Sequence, residues 1–257
     1  MPTYAVLGAT GQTGGELLKL LLSKSAHVNI YARSKSKLET KFPGIADAPN
    51  VTLFIGNLSD TALLSKCLDG VDVVLSAVAQ NRNEPGCSVA QETAYAIIQA
   101  LKPKQLAKIP TVVFLGSGSI DPDNIENKRP LGRLLHWILY HVYTDLEKAV
   151  ELLKSNPSIP LVIAAPGALV HDVPHSVELV GQFDKSSGVL AYADLAQAMI
   201  MMGDEGKQWR GRYVGILVNQ GRPIKGNPAA LLRYLLPNLL AMVCPPLWRL
   251  GKDYWPA

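Results

Sequence analysis

Residues 6–15 read Val-Leu-Gly-Ala-Thr-Gly-Gln-Thr-Gly-Gly, so Gly8, Gly11 and Gly14 stand three residues apart. A short apolar run from Tyr4 to Leu7 leads into them, and a leucine-rich segment follows. This arrangement suits the binding of a pyrophosphate. Glycine lets the chain turn sharply out of a strand and brings bare backbone N–H groups against phosphate oxygens. A helix that opens at such a turn carries partial positive charge at its start. Thr10, Gln12 and Thr13 fill the positions between the glycines and complete the candidate cradle. Glycines at this spacing mark a dinucleotide site when a strand precedes them and a helix follows, as the residue types predict here.

The end of the second apolar run bears on which dinucleotide binds. NAD sites usually place an acid there, on the adenosine ribose hydroxyls. This chain reads Ile30-Tyr31-Ala32-Arg33-Ser34, with Lys37 three residues on and no acid. Arg33, Ser34 and Lys37 suit a 2′-phosphate, which needs charge-assisted donors. One such bond contributes about 1.5–3 kcal/mol. The expected cofactor is therefore NADP(H). Asn57 would offer its side-chain amide to the adenine edge, and Leu58 would pack on the adenine face. Ser76 and Ala77 are small enough to let the ribose and nicotinamide pass.

Groups able to move a proton cluster in residues 137–148, Trp-Ile-Leu-Tyr-His-Val-Tyr-Thr-Asp-Leu-Glu-Lys. His141 and Asp145 are four apart and would share one helix face. Such a pair would position an imidazole and hold it charged near neutrality. Tyr140 and Tyr143 flank that face. A second group, His171, Asp172, His175 and Asp184, lies in an irregular stretch. Pro174 interrupts it and no cysteine is near, so we expect a substrate loop there and no metal site.

Elements must bring these residues together. Apolar runs at Tyr4–Gly8, Val28–Ala32, Val51–Gly56, Val71–Ala77, Thr111–Gly116 and Leu161–Ala165 alternate with helix-period segments. The helices fall at about Gly14–Ser23, Lys35–Lys41, Thr61–Leu68, Ser88–Leu101 and Leu131–Ser155. Alternation of this kind predicts parallel βαβ units with helices on both sheet faces. Residues 166–188 show no clear period. A helix at Tyr192–Met202, a strand at Tyr213–Val218 and an apolar, proline-punctuated C-terminus follow. Trp248, Tyr254 and Trp255 in that C-terminus are candidates to enclose a hydrophobic ligand.

Composition excludes several classes. Of 257 residues, 48% are hydrophobic and 18% charged, too apolar for a disordered chain. Cys67, Cys87 and Cys244 are an odd count without a CxxC pair, which argues against a disulfide scaffold and for a reducing compartment. A net charge of +4 is too small and too dispersed for nucleic-acid binding. The segment from Ala229 to Leu250 is apolar but broken by Arg233, Pro237, Pro245 and Pro246, so no integral membrane segment is expected. We expect a cytoplasmic protein. Its oligomeric state is not legible from the sequence.

The Ala9-Thr10-Gly11-Gln12-Thr13-Gly14 stretch resembles the NmrA-like and other atypical members of the short-chain dehydrogenase/reductase superfamily. Weaker matches continue to about residue 200, at Gly56-Asn57-Leu58, Ser76-Ala77, Leu115-Gly116-Ser117, Ala165-Pro166-Gly167 and Tyr192–Ala196. The resemblance implies NAD(P)(H) binding. Typical short-chain dehydrogenases use a serine after the fifth strand, where Ser117 and Ser119 stand here, and a Tyr-x-x-x-Lys on the next helix, whereas the atypical members that this chain resembles often lack the full triad. That second motif is incomplete: Thr144 follows Tyr140 by four, and Glu147 follows Tyr143 by four.

We thus expect one α/β domain over residues 1–257, a doubly wound parallel sheet of Rossmann type with a C-terminal helical cap. About 166–257 would form the substrate-side loop and cap. The expected activity is NADP-dependent reduction of a carbonyl or conjugated double bond in an apolar small molecule. Tyr143 or His141 would give the proton, Asp145 would orient His141, and Ser117 would hold the reacting oxygen. Two other readings stay open. One is a redox-neutral isomerase or cyclase using His–Asp proton transfer, and the other a non-catalytic NADP(H)-sensing regulator.

Overall fold

A computed structural model describes residues 2–80, 82–102, 108–181, 186–219 and 228–251. The β-branched and leucine-rich runs form β1 (Thr3–Leu7), β2 (His27–Ala32), β3 (Val51–Ile55), β4 (Val73–Ser76), β5 (Thr111–Leu115) and β6 (Leu161–Ala164). Their residues are almost wholly apolar because helices cover both faces of the sheet. The described strands join into an eight-stranded sheet of order β3-β2-β1-β4-β5-β6-β10-β8, with β8 at Ser176–Val180 and β10 at Tyr213–Asn219. Pairing is parallel except between β10 and β8. β1 pairs with β2 on one side and β4 on the other, so strand order reverses beside it. A ligand crevice opens at such a switch point, beyond the carboxyl ends of the strands.

Two cores sandwich the sheet. Leu17, Leu18 and Leu21 of α1 (Gln12–Ser23) meet Leu195 and Met199 of α7 (Tyr192–Asp204) on one face. The other face takes Leu64 and Leu68 of α3 (Thr61–Leu68), Ile97 of α4 (Val89–Ala100) and Leu146 and Val150 of α6 (Tyr140–Lys154). The shorter α2 (Lys35–Lys41) links β2 to β3, and α8 (Gly206–Trp209) leads into β10.

Two expectations need correction. The single long helix over Leu131–Ser155 is two helices, α5 (Pro130–Ile138) and α6, separated at Leu139. The cause is Asn83, a fully buried side chain from the β4–α4 connection. Its Nδ2 donates to the Ile138 carbonyl at 2.7 Å, and its Oδ1 accepts from the N–H groups of His141 and Val142 at 2.8 and 3.2 Å. A side chain inserted among the peptide groups of a helix bends it. The irregular stretch 166–188 holds β7 (Ala168–Val170) and β8, and β7 pairs in parallel with β9 (Val189–Ala191). In the C-terminal cap, α9 (Pro228–Val243) runs through Pro237, and α10 (Pro245–Gly251) follows. Asn238, next to that proline, accepts the Asn83 N–H at 3.0 Å and ties the cap to the β4–α4 connection. No helix among the described residues is long and apolar enough to cross a membrane.

Candidate active site

Gly8 leaves β1 with φ +88°, a conformation that side chains rarely adopt, and a Cβ there would lie 2.7 Å from the Ala77 carbonyl oxygen. The Gly11 N–H then donates to the Gly8 carbonyl at 2.9 Å and closes the turn. Gly14 packs so tightly that a Cβ would overlap the Gly8 carbonyl. Gly11 differs: it is extended (φ −74°, ψ 177°), and its Cβ would meet only the Gly8 oxygen, at 3.3 Å. Gly8 and Gly14 are required by the fold, whereas Gly11 leaves space on the open side of the loop. Thr10, Gln12 and Thr13 lie at the start of α1, whose first turn has no side-chain cap and no acid. Its amides are thus available to an anion. These residues fit a dinucleotide pyrophosphate.

Arg33 stands exposed at the end of β2, with no ion-pair partner among the described residues. Ser34 caps α2, its Oγ accepting the Lys37 N–H at 3.2 Å. Lys37 is exposed one turn on. The three residues therefore lie together at the carboxyl end of β2. Asn57 is exposed there, and its carbonyl accepts the Tyr31 hydroxyl at 2.7 Å. Leu58 is half-buried against the sheet core. Burial pushes the Tyr31 phenol up to about 12.

Ser76 ends β4 fully buried, and its Oγ has no hydrogen-bond partner among the described residues. An orphaned buried hydroxyl is costly, and it lies directly before Ala77, whose carbonyl faces Gly8. The small residues Ser76 and Ala77 thus end β4 against the Gly8 turn. Ser117 lies just beyond β5, two strands and about 10 Å from β1 at ordinary strand spacing. Its Oγ accepts the Ser119 N–H at 3.2 Å. Tyr143 of α6 reaches the same place, close enough to Ser119 and Ser117 for both to act on its phenol. Burial pushes the Tyr143 phenol up, and those two seryl contacts pull it back.

The fold separates the other expected pair. Asp145 is buried and does not meet His141. Its oxygens accept the N–H groups of Ala90 and Gln91 at 2.8 and 3.0 Å and the Gln91 Nε2 at 2.9 Å, capping α4. The His141 ring packs edge-on to Tyr140, with centroids 5.3 Å apart, and burial pushes its imidazole toward the neutral form. Four-residue spacing put both residues on one helix, but α4 supplied two unpaired amides and took the carboxylate. The expected substrate loop is anchored: His175 Nδ1 lies 3.0 Å from Asp194 Oδ2, and its N–H donates to Asp194 Oδ1 at 2.6 Å. His171 stacks on Tyr192. Asp184 lies outside the described residues, as do Tyr254 and Trp255, while Trp248 is buried. Among the described residues no group of three or more His, Cys, Asp or Glu side chains could hold a metal.

A family model described as NAD(P)H-binding matches residues 8–205. The chain belongs to the NAD(P)H-binding family. Within this family its relatives include oxidoreductase AgnL4 of Paecilomyces divaricatus, 34% identical over 244 residues, or 90% of this chain and 92% of that one. Oxidoreductase stcQ of Emericella nidulans is 32% identical over 270 residues, covering 99% and 96%. A short-chain dehydrogenase/reductase of Veillonella parvula in complex with NADP shares the fold, with a TM-score of 0.65 at 18% identity over 89% of this chain and 100% of that one. The protein is accordingly a member of an NAD(P)H-binding family whose named relatives are oxidoreductases.

Three residues near the candidate site escaped the sequence reading. Lys41, the last residue of α2, crosses to the phosphate loop, where its Nζ donates to the Gly11 and Thr10 carbonyls at 2.6 and 3.3 Å. Burial, then the neighbouring Lys19, pushes this amine down. Gly15 makes the crossing possible, since a Cβ there would strike the Lys41 amine. The other two are His136 and Glu147, whose Nε2 and Oε1 lie 3.0 Å apart across the bend at Leu139. Their separation of eleven residues on a seemingly continuous helix concealed the contact. Only the Glu at the place of the family lysine signalled something unusual.

Proposed function

We propose that the protein is an NADP-dependent reductase of a carbonyl or conjugated double bond in an apolar small molecule. The observation that carries this reading is Tyr143 lying close to Ser117 and Ser119 just beyond β5, at the same end of the sheet as the glycine loop. The nicotinamide, when bound, supplies the hydride. The amides at Gln12, Thr13 and Gly14 hold the pyrophosphate, while Arg33, Ser34 and Lys37 hold the 2′-phosphate. Asn57 and Leu58 receive the adenine. Ser117 orients the substrate oxygen, and Tyr143 gives it a proton as hydride arrives at the carbon. Exclusion of water by the neighbouring core keeps that proton transfer directed.

An apolar substrate is supported by Leu134, Trp137 and Tyr140, which stand 49%, 44% and 46% exposed on the segment that also carries His136 and Tyr143. We infer that residues 1–257 act as one dinucleotide-binding unit, with about 166–257 on the substrate side. The free thiols of Cys67, Cys87 and Cys244 suit work in the reducing cytoplasm.

The test is a turnover assay with NADPH and phenanthrenequinone as the apolar carbonyl probe. We expect NADPH oxidation in step with product. Tyr143→Phe should lower turnover by about 10²–10⁴-fold, the usual cost of losing a general acid, without weakening NADPH binding. Product formed without NADPH oxidation would replace this reading with a redox-neutral isomerase. Full turnover in Tyr143→Phe would remove Tyr143 from the chemistry.

A further inference from the structure

The family lysine is absent, yet the place four residues after Tyr143 is not idle. Glu147 occupies it and turns away from the phosphate loop to hold His136 Nε2 at 3.0 Å. His136 ends α5, and the bend imposed by Asn83 folds it back over α6. Its ring packs against the Tyr143 ring, with centroids 5.3 Å apart and planes tilted by 47°. A phenol, an imidazole and a carboxylate thus follow one another outward from the strand ends. The His136 and Glu147 side chains keep 32% and 39% exposure. Exposed ion pairs of this kind contribute little to stability, so a stapling role explains the arrangement poorly.

A carboxylate alone, one turn from a proton donor, would oppose the phenolate that donation leaves behind. An imidazole that engages the carboxylate draws that charge to itself while its own ring packs on the phenol. We propose that His136, oriented by Glu147, is the positioning residue that serves Tyr143: its ring packs on the phenol, and its Nε2 engages the carboxylate charge that would otherwise oppose the phenolate. This inference rests on the reading of Tyr143 as the proton donor. As the substrate O–H bond forms, the Tyr143 O–H bond breaks. The resulting phenolate regains its proton from solvent, which reaches the pair at the partly exposed His136 and Glu147 side chains. NADPH supplies the hydride, so no further reactant is needed.

Three variants test the pair in the phenanthrenequinone assay, alongside NADPH titration by fluorescence and thermal melting. His136→Gln should lower kcat about 10–100-fold while KM and Kd for NADPH stay within about twofold, less than the 10²–10⁴-fold loss of the acid itself. Glu147→Gln should move kcat the same way by a smaller factor. The double variant His136→Gln with Glu147→Lys places an amine four residues after Tyr143 and should regain at least tenfold over His136→Gln. Both single variants keeping wild-type kcat while Tyr143→Phe is inactive would overturn this inference and leave the reductase reading standing. A double variant no faster than His136→Gln would overturn the charge-balancing role. Full turnover in Tyr143→Phe, or wild-type protein that oxidises no NADPH with the probe, would overturn the underlying reading, and the pair's role with it. Glu147→Gln is isosteric and partly exposed, so it remains informative if the His136 variants melt early.

Discussion

Replacing Gly11 with valine separates the glycine that the ligand needs from those that the fold needs. The Gly11 backbone is extended at φ −74°, so a branched residue adopts it without strain, and the nearest atom to the new Cβ is the Gly8 oxygen at 3.3 Å. The change should cost the empty protein no more than about 1 kcal/mol, the scale of an N-cap substitution. For a chain of this length that lowers Tm by about 2–4 °C. The added methyls project into the space reserved for pyrophosphate. A hydrogen bond from an amide to a charged group contributes about 1.5–3 kcal/mol. Displacing the phosphates from two such amides therefore weakens NADPH by about 10²–10⁴-fold. Gly14→Ala is the control of opposite kind. Its Cβ overlaps the Gly8 carbonyl, so overpacking should cost about 1–3 kcal/mol in the ligand-free protein. Thermal melting and fluorescence titration of both variants measure the two effects. If Gly11→Val melts normally and still binds NADPH with native affinity, the phosphate-loop argument fails.

Arg33→Ala should weaken NADPH by about 10–100-fold, the cost of one charged contact, and leave NADH nearly unchanged; parallel titrations giving equal losses for both would count against a 2′-phosphate site. Asp145→Asn should act on stability, because the carboxylate caps α4. A loss of about 1.5–3 kcal/mol is expected, with kcat per folded molecule within about twofold; lost turnover at native Tm would restore a catalytic role. Tyr31 makes a pH prediction. Its folded phenol is pushed up to about 12, against an ordinary value of about 10. Folding favours the protonated form, so this contribution is fully present below about pH 10 and disappears as pH rises through about 12. Urea denaturation across that window should show the decline, and Tyr31→Phe should flatten it; an unchanged slope would refute the assignment.

Much of the fold was legible because its determinants are local. Runs such as Val73–Ser76 and Leu161–Ala164 are too uniformly apolar for anything but buried strands, and the helices between them require parallel crossovers. The glycine loop was legible for the same reason, since the turn, the close packing and the helix start all lie within Gly8–Gly14. Arg33 could be placed by its offset from that loop. The serine at 117 and the tyrosine at 143 were also marked by position, but their meeting depends on the packing of α6 beside β5. The sequence by itself could not show that Asn83 bends the helix between Ile138 and His141, because a buried amide 55 residues upstream competes for the helix's own peptide groups. That bend brings His136 to Glu147 and leaves Asp145 to α4. Periodicity along one helix reports which residues share a face. It carries no information about which distant group takes the hydrogen bond, and here that choice gave Asp145 to the amides of α4 and Glu147 to His136.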